Sequence, residues 1–349
     1  MNREFKHSLL EWFSLNKRTL PWRLDKEPYK IWISEIMLQQ TRIEACIDYY
    51  YRFIDNIPDI ETLASIPLDK LLKLWEGLGY YNRAKNLQKA AIIIMEKYQG
   101  KFPDDYSKIL ELPGVGEYTA SAISSICFNK KEPTVDGNVL RVYTRINKYS
   151  NDITSLKTKK EIRENLKKIM PDESGNFNEA MMELGEKICL PNTKPKCNIC
   201  PVSKYCKIAN TDLWLNYPVK SKKTVKKTIN YTILILKYQD KIAISKRTKK
   251  GILNGLWGFI DLEGNLSIEE ITNYLKEQHI DYLSIESFIT NKHIFTHQIW
   301  YMNSYLIKVK TNNKNYTWAS ISLIDKKYAL PTAFKPLIEE LKNNPMFYN

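Results

Sequence analysis

The pattern of this chain predicts a multidomain α and α+β protein: an all-helical first domain followed by a smaller α+β domain. Three observations lead there. Apolar residues recur at helical spacing from His7 to Ile208, strand-like runs begin only after Thr228, and a basic stretch without apolar anchors lies between. At 349 residues the chain also exceeds one ordinary domain of about 150.

In the first part, Leu9, Leu10, Trp12 and Phe13 open the helical periodicity, and Leu68, Leu71, Leu72 and Trp75 repeat it. Prolines 58, 67, 103, 113 and 133 punctuate it into short helices. Lys220 to Lys227 reads as a charged tether. Beyond it, Tyr231 to Leu236, Lys241 to Lys246 and Gln298 to Lys310 are rich in Ile, Tyr and Val and read as strands, whereas Ile268 to Gln278 and Phe334 to Lys342 read as helices. The predicted boundaries are 1–218 for the helical domain, 219–228 for the linker and 229–349 for the second domain.

The formal charge is +14, from 53 Lys and Arg against 39 Asp and Glu, which suits a polyanionic partner held partly through counterion release. Lysine, isoleucine and asparagine are abundant throughout, so the excess is support and not proof of a binding face. Polar residues interrupt every apolar stretch near the N-terminus, and runs such as Ala90 to Met95 fall far short of the roughly 20 residues a bilayer crossing requires. The expectation is a cytoplasmic protein without a membrane partner.

Of six cysteines, Cys189, Cys197, Cys200 and Cys206 crowd together, while Cys46 and Cys127 sit in apolar helical contexts as core thiols. Four clustered cysteines in a reducing compartment read as a metal site. Structural zinc prefers two Cys-x-x-Cys pairs, and only one is present. The unequal spacing suits an iron–sulfur cluster better, with zinc as the alternative.

Leu112-Pro113-Gly114-Val115-Gly116-Glu117-Tyr118-Thr119-Ala120 is followed, one helix length later, by Val135-Asp136-Gly137-Asn138. Glycines at 114 and 116 permit a tight hairpin with positive φ angles, whose backbone N–H groups can converge on a phosphate. A plain helix cap, with Asp136 as the N-cap of the next helix, is the simpler reading. Glu35 lies in Trp32-Ile33-Ser34-Glu35-Ile36-Met37-Leu38, where helical spacing sets Trp32 and Leu38 beside its carboxyl group. Apolar neighbours would let it keep a proton near neutral pH, whereas Asp136 at a helix start should stay ionised. Two carboxylates of opposite protonation are what breaking an N-glycosidic bond demands: a proton for the departing base and negative charge beside the sugar cation. A solvated surface glutamate is the competing reading of Glu35. Gln39, Gln40 and Thr41 follow within a turn, and Gly77-Leu78-Gly79-Tyr80-Tyr81 offers aromatic rings on a glycine turn, suited to the gap left by an extruded nucleotide.

Together with Leu20-Pro21-Trp22-Arg23 and Met182-Glu183-Leu184-Gly185, these motifs make the chain resemble the adenine-specific mismatch glycosylases of the helix-hairpin-helix superfamily, the MutY family. The resemblance implies a six-helix barrel module, a cluster-bearing module and a cleft between them. It implies that Glu35 protonates adenine at N7 and later helps to activate water. Asp136 would stabilise or attack the sugar cation, and Tyr118 and Asn138 would position around it. Trp22, Arg23, Leu38 and Glu183 would line the adenine pocket, with Glu183 bonding the flipped base. Gln40 and Tyr80 would fill the duplex and Thr41 would touch the opposite purine, while Gly114, Val115 and Gly116 would hold phosphate.

The bifunctional relatives carry a Schiff-base lysine where this chain has Tyr118, so strand cleavage is not expected. The second domain resembles the Nudix-like domain that reads 8-oxoguanine, through Gly255-Leu256-Trp257-Gly258 and His293-Ile294-Phe295-Thr296-His297. Thr296 replaces the family's usual serine between Phe295 and His297. The helix at Ile268 to Gln278 lacks the Arg-Glu pair of a Nudix hydrolase, so pyrophosphate hydrolysis is not expected. One structural 4Fe-4S cluster is implied on the four clustered cysteines, although the first spacer is one residue longer than usual. The implied partner is double-stranded DNA with an adenine mispair, bound by a monomer. A thymine mismatch glycosylase and a non-catalytic lesion-binding scaffold are the alternatives.

Overall fold

The computed structural model describes residues 1–221, 225–248 and 251–343. It divides into two compact units: Met1–Ser65 with Lys85–Lys222, and Ile66–Ala84 with Lys223–Asn349. This departs from the division drawn from sequence, which left residues 66–84 in the helical domain. The departure has a polar side: side chains of that segment bond to Lys246, Thr296 and Leu330.

The first unit is helical. Its elements are α1 (Arg3–Asn16), α2 (Pro28–Leu38), α3 (Ile43–Asn56) and α4 (Ile60–Ser65). After α5 (Leu68–Leu74), which groups with the second unit, come α6 (Asn82–Tyr98), α7 (Tyr106–Leu110), α8 (Glu117–Phe128), α9 (Gly137–Asn147), α10 (Leu156–Lys167) and α11 (Ser174–Lys187). Helix α1 starts where the Asn2 side chain accepts the Phe5 N–H at 3.0 Å, and Phe5, Leu9 and Phe13 form its buried stripe. That stripe joins Val139, Val142, Phe177, Met181 and Leu184 in one core, so α1, α9 and α11 hold each other. Each fully buried side chain of this size contributes about 1.5–3 kcal/mol.

Helix α2 is different, because every residue from Ile31 to Met37 is buried. A helix closed in on all sides has no wet face. Glu35 is therefore interior, and the surface reading of it fails.

Close backbone approach fixes α11 on α9. A Cβ at Gly185 would stand 2.7 Å from Asn138 Cβ, so only glycine permits this spacing.

The second unit carries β1 (Lys227–Tyr238), β2 (Lys241–Lys246), β3 (Trp257–Gly258), β4 (Ile260–Glu263), α12 (Ile268–Glu277), β5 (Tyr282–Ile294), β6 (Gln298–Val309), β7 (Thr317–Ala319), α13 (Ile321–Lys327) and α14 (Lys335–Asn343). The path runs β3-β2-β1-β6-β5, with β4 on β1 and β7 on β2. Strand β1 runs parallel to β6, and the other pairings are antiparallel. Alternate residues of β1 serve opposite faces. Ile233 and Ile235 pack with Ile324, Leu337 and Leu341 of α13 and α14, whereas Leu234 and Leu236 pack with Ile271 and Leu275 of α12. Helices on both faces explain why β1 reads as an unbroken apolar run.

The expected linker is shorter than drawn. Lys227 and Thr228 already belong to β1, the Ile153 N–H donates to the Val219 carbonyl at 3.1 Å, and Ser221 bonds Asp152. Residues 222–224 of it lie outside the described residues. Among the described residues, no helix is long and apolar enough to cross a membrane.

Candidate active site

Helices α2, α8, α9 and α11 bring the sequence candidates of the first unit together. Glu35, on the enclosed α2, is 6% exposed, and its Oε2 has no hydrogen-bond partner among the described residues. Burial pushes its carboxyl up to about 7. The nearby Tyr118 hydroxyl works against that rise, Glu179 and Asp136 reinforce it, and the Arg23 guanidinium opposes it. Tyr118, on α8, donates to Met182 Sδ at 3.4 Å, and its own pKa is raised by burial and by the charges of Glu35 and Asp136. Tyrosine at this position thus feels the charge of both acids.

Asp136 is the N-cap of α9. It accepts the Val139 N–H at 2.7 Å and the Asn138 amide at 2.9 Å. The simple capping role is therefore real, and the site uses it to aim the carboxylate. Burial raises the Asp136 pKa, while the Val139 and Asn138 donors and Arg141 hold the rise down. The sequence reading had only the helix start in view and missed the desolvation. Asn138 also bonds Glu186 at 3.0 Å and Arg141 at 2.8 Å, and Arg141 reaches the Cys189 carbonyl at 2.7 Å.

Glu183 is fully buried, and the structure shows what that requires. Arg18 Nε donates to Oε1 at 2.7 Å and its Nη2 to Oε2 at 3.0 Å, while Arg23 Nη1 and Nη2 reach Oε2 at 3.1 and 3.2 Å. Burial works to raise the Glu183 pKa, but the two guanidiniums outweigh it and hold the group low. A buried carboxylate needs such countercharge. Both Glu183 oxygens therefore accept from arginine. Arg18 is the residue that sequence reasoning missed. Its only signal was the need of a buried Glu183 for a second cation. Arg23 also bridges Glu179 at 2.7 Å, and Trp22 is buried edge-on against Tyr50.

Leu38 closes α2 and is half-buried, Thr41 is likewise half-buried, and Gln39 donates to Thr119 at 3.3 Å. Gln40 is exposed with φ 61°, a left-handed backbone that costs a non-glycine residue about 1 kcal/mol or more. Tyr80, in the second unit, is also exposed and left-handed, with φ 47°. Both residues expected to enter a duplex thus carry backbone strain.

The hairpin needs one left-handed glycine, not two. Gly114 has φ 79°, and a Cβ there would meet Asn86 Cβ at 2.7 Å. Gly116 is extended instead, at φ −97°, and caps α8 with open space where a Cβ would point. The Val115 N–H is already spent on the Leu112 carbonyl at 3.1 Å. The donors that remain for a phosphate are the amides of Gly116 and the first turn of α8.

Cys189, Cys197, Cys200 and Cys206 line one largely apolar cavity with Val142, Arg145 and Trp214. All four are free thiols. Burial pushes Cys200 up to about 12 and raises Cys206, so thiolates there call for a cation among them. Arg145 donates to Cys189 Sγ at 3.4 Å. Among the described residues no three His, Cys, Asp or Glu side chains are grouped to hold a single metal ion. The four thiols share that one cavity. Cys46 is buried in α3 and Cys127 half-buried in α8, away from that group.

In the second unit, Phe295, Thr296 and His297 form the turn between β5 and β6, with Thr296 and His297 exposed. Phe295 packs edge-on against His293 and Trp300 at 4.5 and 4.8 Å. The Tyr80 hydroxyl bonds Thr296 Oγ1.

Residues 33–171 match the family described as HhH-GPD superfamily base excision DNA repair protein, and residues 231–340 match a NUDIX domain. A helical hairpin unit carrying a buried glutamate and a capping aspartate, followed in the sequence by a Nudix-like unit, defines a DNA glycosylase of base excision repair. The chain is 38% identical to an adenine DNA glycosylase of Buchnera aphidicola subsp. Acyrthosiphon pisum, over 97% of this chain and 98% of that protein. With the human adenine DNA glycosylase it shares 39% identity over 58% of this chain and 39% of that protein. It belongs to the adenine DNA glycosylase family. Among solved structures it resembles a thermostable thymine-DNA glycosylase, at 31% identity and a TM-score of 0.53, over 58% of this chain and 94% of that one.

Proposed function

We propose that the chain is a monofunctional enzyme that hydrolyses the N-glycosidic bond of adenine mispaired with 8-oxoguanine, and less strongly with guanine, in double-stranded DNA. Glu35 carries the reading: a carboxyl pushed up to about 7, with one oxygen unpartnered among the described residues, is a proton donor at working pH. It delivers its proton to adenine N7 as the bond from sugar carbon to base nitrogen breaks, and the electron pair leaves with the base. Asp136, held at the start of α9, supplies negative charge beside the sugar cation until water adds. Glu35 then recovers a proton from that water. Tyr118 has no amine for a Schiff base, which supports base release without strand cleavage.

Cys189, Cys197, Cys200 and Cys206 would hold one 4Fe-4S cluster, which supplies structural order and no chemistry to the reaction. The enzyme acts as a cytoplasmic monomer on this reading. A thymine mismatch glycosylase remains the second reading because of the solved relative, but that likeness spans 58% of the chain while a NUDIX domain match occupies 231–340. Single-turnover assays on duplexes bearing each mispair test the choice. Adenine should leave fastest opposite 8-oxoguanine, and faster release of thymine would overturn the assignment.

A further inference from the structure

Residues 66–84 are joined to the sheet-bearing part of the second unit by a row of polar contacts. Glu76 Oε1 accepts the Leu330 N–H at 2.8 Å. Its other oxygen pairs with Lys73, whose Nζ also donates to the Tyr328 carbonyl at 3.2 Å. The Tyr81 hydroxyl donates to the Leu330 carbonyl at 3.4 Å, and Lys246 pairs with Asp69 at 2.6 Å. Both backbone groups of the buried Leu330 are thus spent on this one segment. Between Glu76 and Tyr81 lies the glycine turn, with Gly77 at φ 98°, Gly79 at φ 70° and Tyr80 at φ 47°. The turn is braced from within, by Trp75 Nε1 on the Gly79 carbonyl at 3.0 Å and Arg83 Nη2 on the Leu78 and Gly79 carbonyls at 3.0 and 3.1 Å, so the bonds of Glu76 and Tyr81 set where it stands on the sheet-bearing part. At its tip Tyr80 meets Thr296.

We infer that Glu76 is a positioning residue for lesion discrimination: by hooking the Leu330 amide it fixes the Gly77–Tyr81 turn, so that Tyr80 and Thr296 present one surface to the purine opposite the excised base. This rests on the reading of Phe295 to His297 as the lesion-recognition loop. Glu76 touches no reacting atom. It acts through Tyr80.

The test uses the full chain, with two readouts: amide hydrogen exchange at Leu330 without DNA, and the single-turnover preference for adenine opposite 8-oxoguanine over guanine. Losing a hydrogen bond to a charged acceptor, Glu76→Ala should speed Leu330 exchange about tenfold and lower the preference about tenfold. Glu76→Gln, whose amide oxygen can accept the same N–H, should retain both. Thr296→Ala should lower the preference without speeding Leu330 exchange, and the double variant should lose no more than either single one. Tyr81→Phe removes the hydroxyl that bonds the Leu330 carbonyl and should act in the same direction more mildly, which keeps the test open if Glu76→Ala fails to fold. Unchanged Leu330 exchange in Glu76→Ala, or faster exchange with the preference intact, overturns the inference. Full preference in Thr296→Ala overturns the lesion-loop reading, and the inference falls with it.

Discussion

Replacing Glu35 with glutamine should raise stability at alkaline pH while abolishing base release. The folded carboxyl titrates at about 7, against 4.5 for an ordinary glutamate. Between those values the folded protein holds a proton that the unfolded chain has lost, so stability falls as pH rises and then levels off above 7. Each pH unit in the window is worth about 1.4 kcal/mol, so passing from pH 5.5 to 7 costs the parent about 2 kcal/mol. Glutamine keeps the shape and lacks the titration. Urea unfolding of both proteins at pH 5.5 and 8.5 should therefore show the difference between them shifting by about 2 kcal/mol in favour of the variant at the higher pH. For a unit of this size that is roughly 4–8 °C in Tm. In parallel, single-turnover release by the parent should fall about tenfold per pH unit above 7, as the proton donor is lost. An unfolding difference that is the same at both pH values, or a variant that still releases adenine, would refute the reasoning.

Asp136→Asn should keep α9 capped, with unfolding changed by less than about 1 kcal/mol, yet lose base release; Asp136→Ala should add the loss of the cap, about 1 kcal/mol by urea titration. Gly185→Ala should destabilise the first unit by about 1–3 kcal/mol, because the new methyl meets Asn138 Cβ at 2.7 Å, and thermal unfolding measures it. Arg18→Met should cost roughly 3 kcal/mol by leaving buried Glu183 short of countercharge, an effect that Glu183→Gln should largely relieve in the double variant. Purified protein should contain iron and acid-labile sulfide in near-equal amounts with visible absorption, and stoichiometric zinc would contradict the cluster.

Periodicity made the helices of the first unit legible, and the isoleucine-rich composition of Tyr231 to Leu236 and Lys241 to Lys246 did the same for β1 and β2. Strand β5 was not legible. Its residues mix Ser, Glu, Asn and Lys with apolar ones, its burial alternates only from Ile289 onward, and register shifts interrupt its pairing with β6, as befits a strand at the end of the sheet path. At the site, Glu35 and Asp136 were singled out because their residue types match a chemistry, and Tyr118 because of the family resemblance. Enclosure of α2 and the pairing of Glu183 with Arg18 depend on contacts between distant segments, with 165 positions separating the latter two. The ownership of residues 66–84 escaped notice for the same reason. Nothing in Glu76 announces Leu330.

That discontinuity has a consequence during synthesis. Glu76 leaves the ribosome 254 residues ahead of the Leu330 amide it holds. At roughly 5–20 residues per second the wait is on the order of ten to fifty seconds. Asp69, Lys73 and Glu76 are groups that water solvates well in the interim, so the polar half of the joint can wait exposed until residues 328–330 arrive.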